Sequence, residues 1–269
     1  MRTLRYTLED AKQWASFSGD DNPIHFDLEW VKAKGGEQLS VHGMRALLDV
    51  KQFASESLNH ELLASQEVID SEFIKCVVRL RNPLWNDKDY QLVARNKAGS
   101  VALLSSDEQQ NCLTCQLSVT SPPRLHEIAN EITISTAELV KLQSIFSQFP
   151  NEMYEWQFID AVLFWYLIHD SSLFQQQEIA QWLPAGSTLK DIFCRYPIAQ
   201  THQEVVFDRA LLTKWVPITS PEPIYLRILP ALVIADSESG RLVSISITAH
   251  YGEKIINNSI TLKVNSITQ

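Results

Sequence analysis

Three side chains that can move protons or hold water crowd into six positions, Asp20, Asn22 and His25, within Phe17-Ser-Gly-Asp-Asp-Asn-Pro-Ile-His-Phe-Asp27. Asn-Pro forces a turn, because the residue before proline is driven away from helical backbone. Asp20 and His25 can therefore stand at the two ends of one tight loop and point into one cavity. A carboxylate beside an imidazole is an acid/base pair, and an imidazole with an unperturbed pKa of about 6.5 is a competent base near neutral pH. A second polar element, His42-Gly43-Met44, stands where a helix is about to start. A helix N-terminus offers unpaired amides to developing negative charge, and glycine lets a ligand approach closely. The same loop has a plainer reading, with Asp20 or Asn22 capping a helix that begins near Pro23.

Local pattern supplies the supports for these side chains. Arg2 to Tyr6 reads as a short strand. Thr7 reads as an N-cap, with Glu9 and Asp10 in the first turn of a helix that runs to about Phe17. Leu28 to Ala33 is a short helix stopped by Gly35-Gly36. The helix opened by His42-Gly43 runs from Met44 to about Leu58, with Met44, Leu47, Leu48, Val50 and Phe53 at helical spacing. Strands are expected over Glu72–Leu80, Tyr90–Asn96, Val101–Ser106 and Asn111–Val119, with a hairpin turn at Asn96-Lys-Ala-Gly99.

Taken in order, Thr7-Leu-Glu-Asp10, the loop Phe17 to His25, and Val41-His-Gly-Met44 resemble the MaoC-like (R)-specific enoyl-thioester hydratases and dehydratases. The likeness covers about the first 120 residues; Gly35-Gly-Glu-Gln-Leu39 departs from the more apolar approach usual in that family. The resemblance implies an α+β fold, a double hotdog of two antiparallel sheets each wrapping a central helix. It implies reversible syn addition of water to a 2-enoyl thioester of coenzyme A or an acyl carrier protein. Asp20 and His25 would be the catalytic pair, and Gly43 the backbone donor to the enolate oxygen. Asn22 would shape the loop and touch water or substrate, and His42 would either bond to the loop or join the chemistry. No metal or redox cofactor is implied. A thioesterase on the same fold and a non-catalytic acyl-binding scaffold are the competing readings. The first would need a carboxylate aimed at the carbonyl, and the second a decayed site.

Ser121-Pro-Pro-Arg124 reads as a linker, dividing the chain into 1–122 and 123–269. The second half looks like a worn copy of the first. Thr7 to Ser18 can be laid on Thr136 to Ser147, with Thr, Glu, Lys, Phe and Ser coinciding. After Phe146-Ser147, however, come Gln-Phe-Pro-Asn-Glu-Met-Tyr, without carboxylate-imidazole pair or His-Gly. A helix from Glu155 to about Ile168, apolar all round, reads as buried, its Trp156, Phe164 and Trp165 either core or the lining of a space for an acyl chain. Residues 170–201 have no counterpart in the first half and read as an insertion.

Bulk composition narrows the partners. Lys and Arg number 13 against 17 Asp and Glu up to residue 122, and 10 against 15 after it, so neither half offers a nucleic-acid surface. The longest apolar run, Ala161 to Ile168, is too short for a membrane span, and the start lacks a signal-peptide core, which leads to the expectation of a cytoplasmic location. Cys112 and Cys115 have CxxC spacing on an alternating strand, an arrangement that points them to opposite faces and away from metal or redox use. A double hotdog leaves both a monomer and a homodimer open.

Overall fold

The computed structural model describes residues 1–64, 72–123, 132–149, 152–173, 187–195, 198–237 and 240–264. The first half contains β1 (Arg2–Arg5), α1 (Leu8–Ser18), a 3-10 turn (Pro23–His25), α2 (Leu28–Ala33), α3 (Gly43–Ala64), β2 (Phe73–Leu80), β3 (Asp89–Ala94), β4 (Ser100–Ser105) and β5 (Asn111–Thr120). The second contains β6 (Ile132–Ile134), α4 (Thr136–Phe146), α5 (Glu155–His169), α6 (Leu189–Arg195), β7 (Ile198–Asp208), β8 (Ile224–Ser237), β9 (Gly240–Tyr251) and β10 (Lys254–Val264).

All these strands join one ten-stranded antiparallel sheet in the order β1-β3-β4-β5-β2-β7-β10-β9-β8-β6. Read inward from either edge, each half places its strands first, third, fourth, fifth, second. The two five-stranded halves therefore share one topology and meet through their second strands, with Phe73 opposite Asp208 and Arg79 opposite His202. This is a double hotdog of the α+β class, its two half-sheets fused edge to edge. The long helices α3 and α5 pack on the sheet and on each other. Their interface is partly polar: buried Lys51 meets Asp160 at 2.5 Å and Gln203 at 2.7 Å, while Asn258 donates to Asp160 at 2.7 Å. A fully desolvated ion pair contributes little net stability but penalises any packing that leaves one member alone.

The duplication expected from sequence has a structural form, shifted by one residue. α1 is capped by Thr7 in a capping box with Asp10, and α4 by Ser135 in a box with Glu138. The caps align Thr7 with Ser135, whereas the sequence match set Thr7 on Thr136. The insertion expected over 170–201 also ends too late, because β7 starts at Ile198 and is the counterpart of β2. Residues 174–186 and 196–197 of that segment, and Arg124 of the linker, lie outside the described residues. No helix among the described residues is long and apolar enough to cross a membrane.

Candidate active site

Helix α1 delivers the loop that carries Asp20. Buried Trp14 and Phe17 fix its inner face, and Arg45 on α3 holds Asp10 at 2.7 Å, so α1 and α3 keep one spacing. The helix stops at Gly19, a left-handed C-cap with φ +78°, where a Cβ would strike the His169 ring at 2.5 Å. Glycine is required there on both counts.

Beyond Gly19 the loop is tied from several sides. Asn22 Oδ1 accepts from Ile24 N–H, capping the 3-10 turn, and Asn22 Nδ2 donates to the Phe193 carbonyl of α6 at 2.8 Å. Asn22 is therefore a loop-shaping residue with both ends of its amide engaged. Asp21 pairs with Lys190 of α6 at 3.0 Å. The short segment before α3 is pinned by Ser40 N–H to the Ile24 carbonyl and Val41 N–H to the Leu84 carbonyl. That pinning fixes the Ser40 carbonyl, which faces His25 Nδ1 at 2.8 Å. A carbonyl only accepts, so His25 carries its proton on Nδ1 and keeps Nε2 as the basic nitrogen.

His42 stacks on His25, ring centroids 3.6 Å apart and 29° from parallel. Its Nε2–H donates to the Asp20 carbonyl at 3.0 Å, while its Nδ1 is buried without a partner. His42 thus bonds to the loop that carries Asp20 and also lines the cavity.

Burial sets the protonation of the group. Desolvation pushes the Asp20 carboxyl up from 3.8 to about 6, partly opposed by the Asn22 amide and Lys190 and aided by Asp21. Desolvation brings His25 down from 6.5 to about 4, against the pull of the Ser40 carbonyl. His42 falls well below the ordinary imidazole value, through burial and the neighbouring His25. Both imidazoles are thus neutral near pH 7, and Asp20 exchanges a proton just below it.

Ligating atoms of Asp20, His25 and His42 lie within 4.8 Å of one another. This is a donor set of the kind a divalent ion takes. In the hydrogen-bonded tautomer His42 Nε2, which lies 4.0 Å from the Asp20 carboxylate, spends its proton on the Asp20 carbonyl, so that nitrogen would hold an ion only in the other tautomer.

The trio opens into a cavity of about 490 Å³. Trp14, Gly43, Leu80 and Trp85 line it from the first half; Phe164, Phe193, Ile198 and Gln200 line it from the second. Gly43 is the first residue of α3, so its N–H has no acceptor within the helix and belongs to the positive end of the dipole. A Cβ on Gly43 would come within 2.9 Å of Leu80 Cδ2, which measures how closely the walls approach there. Sequence reasoning missed Ser40, Phe193 and the β7 residues. The helix from Glu155 buries both Trp156 and Phe164; of the two readings for its aromatic residues, Trp156 is core and Phe164 also lines the cavity.

No family model matches this sequence, and no curated protein matches it. Among solved structures, a MaoC-like dehydratase is similar over 98% of this chain and 95% of its own, at 12% identity and a TM-score of 0.44. A provisionally assigned oleoyl thioesterase from Lactobacillus plantarum is similar over 98% and 96%, at 11% identity and 0.45. The dehydratase domain of PpsC from Mycobacterium tuberculosis, solved in complex with C12:1-CoA, is similar over 85% and 86%, at 8% identity and 0.38. Likenesses at such low identity and score do not separate the two chemistries.

Proposed function

We propose that this chain adds water to 2-enoyl thioesters and, in reverse, dehydrates (3R)-hydroxyacyl thioesters. Asp20 and His25 act as the proton-transfer pair and Gly43 N–H as the oxyanion donor. The observation that carries the reading is the Nδ1 contact of His25 to the Ser40 carbonyl, which leaves a basic Nε2 beside a carboxyl that still holds a proton near pH 6.

The site is active with one proton on the pair. His25 Nε2 takes a proton from water as the water oxygen bonds to the β carbon. The double-bond electrons move through the α carbon onto the thioester oxygen, where Gly43 N–H meets the charge. Protonated Asp20 then gives its proton to the α carbon, and the imidazolium returns one to the Asp20 carboxylate. Water and proton arrive from one wall of the cavity, so addition is syn. Dehydration runs the same steps backward, beginning with transfer of the Asp20 proton to His25 Nε2. Asn22 and His42 are positioning residues: one fixes the turn, the other the Asp20 carbonyl.

The test is incubation with crotonyl-CoA and a longer 2-enoyl-CoA. Loss of the enoyl absorbance without free thiol is expected. Thiol release would turn the reading to a thioesterase, and neither signal would turn it to an acyl-binding scaffold. Repeating the assay with the same acyl groups on an acyl carrier protein decides the carrier.

A further inference from the structure

We propose that Gln200, contributed by the second half, is a substrate-binding residue whose carboxamide donates a hydrogen bond to an oxygen of the bound thioester away from the reacting carbons. This rests on the reading of the cavity as an acyl-thioester site.

Gln200 lines the same cavity as Asp20 and His25, and its Nε2 is buried without an acceptor. Buried donors are nearly always satisfied, because an unpaired one forfeits its hydration. An unpaired donor on a cavity wall marks a place where a ligand supplies the missing acceptor. Two other lining residues have such atoms. Trp14 Nε1 belongs to an indole packed among Phe17, Phe149 and Phe164, at centroid distances of 5.6, 6.1 and 5.9 Å. His42 Nδ1 is a bare acceptor in the tautomer that donates to Asp20.

The backbone is shaped to present Gln200. β7 pairs with β10 in unbroken register as far as His202 opposite Thr261, and resumes with Gln200 opposite Leu262, so Thr201 is an extra residue. The bulge interrupts the alternation of β7 at this point, and the stretch Ile198 to Thr201, Gln200 included, lines the cavity. Thr201 Oγ1 is already committed to the Thr261 carbonyl at 3.3 Å, which leaves the Gln200 donor to the ligand. Pairing of β7 with β2 ends at Arg79 opposite His202, so Gln200 stands past the last paired residues, on the wall that Leu80 also forms.

The acceptor is a carbonyl or hydroxyl oxygen. It has two sources, an amide carbonyl of the pantetheine arm or an oxygen substituent on the acyl chain. Two thioethers that can be neither hydrated nor hydrolysed separate them: S-hexyl-CoA and S-(5-hydroxyhexyl)-CoA. Their affinities are measured by titration calorimetry for the wild type and for Gln200→Met, which keeps length and volume and removes the donor, with Gln200→Leu as the second variant. Weakening of about tenfold or more is expected. Weakening for both ligands assigns the pantetheine carbonyl; weakening for the hydroxylated ligand alone assigns the acyl oxygen. The melting temperature should be unchanged or raised, since the free protein loses no hydrogen bond. Equal affinities in wild type and variants, absent binding to the wild type, or a lowered melting temperature with unchanged affinity would overturn the proposal. Hydration by the wild type with unchanged variant affinity would end the role of Gln200 alone. Gln200-dependent binding without hydration would end the reaction alone.

Discussion

The two halves build the same corner and fill it differently. In the first, the segment before α3 bridges to the turn after β2 at Ser40 and Trp85; in the second, the segment before α5 bridges to the turn after β7 at Tyr154 and Lys214. The first corner holds Asp20, His25 and a cavity of about 490 Å³. The second holds about 150 Å³, between Phe158 and Trp215. Phe146, Phe158 and Trp215 pack there with ring centroids 5.0 to 5.2 Å apart, and Gln148 and Phe149 follow α4 where Asp20 and Asp21 follow α1. One frame thus supports either a desolvated acid/base pair or a plug of aromatic core. The occupied corner contributes stability; the open one accepts buried polar groups at a cost to stability. The second half still serves the first, since α6 holds Asn22 and Asp21, and Phe164 and Gln200 close the cavity.

The contrast can be broken most severely at the pair itself. Asp20→Asn and His25→Ala should each lower turnover of a 2-enoyl-CoA by about 10²–10⁴ while the circular dichroism stays native. Next is the proposed oxyanion donor, Gly43 N–H. Proline is well tolerated at the first helical position and has no N–H. Gly43→Pro, with Leu80→Ala to admit the ring, should lower kcat by about 10²–10³ and keep the helical signal.

The remaining predictions concern stability. Phe158→Ala empties the plugged corner and should cost about 3–5 kcal/mol in urea unfolding, with kcat per folded molecule unchanged. Asp20→Asn should do the reverse. A carboxyl raised from 3.8 to about 6 on folding leaves the folded state without penalty below pH 3.8. The penalty grows between those values and is complete above about 6, at up to about 3 kcal/mol. Asp20→Asn should therefore raise stability at pH 8 and leave it unchanged near pH 3.5; equal effects at both would remove burial as the cause.

Much of this contrast was legible in the sequence because its signals are local. Asn-Pro before His25, the Thr7 cap and the glycine at 43 each act over a few residues, and the strands alternate. The aromatic replacement after Phe146 was also plain. The features that escaped reading depend on distant contact. Asn22 meets Phe193 across 171 positions, and no pattern in residues 187–195 announces it. Ser40 fixes His25 through its carbonyl, which every residue type possesses, so the side-chain identity carried no signal. The bulge at Thr201 exists only relative to β10, and the start of β7 was absorbed into the expected insertion.

The pH dependence of kcat/KM for a 2-enoyl-CoA tests the central claim most directly. An active form with one proton on the Asp20–His25 pair predicts a bell, rising through about 4 as His25 loses its proton and falling through about 6 as Asp20 ionises. A rate that stays flat across both values, or that only rises toward alkaline pH, would contradict it.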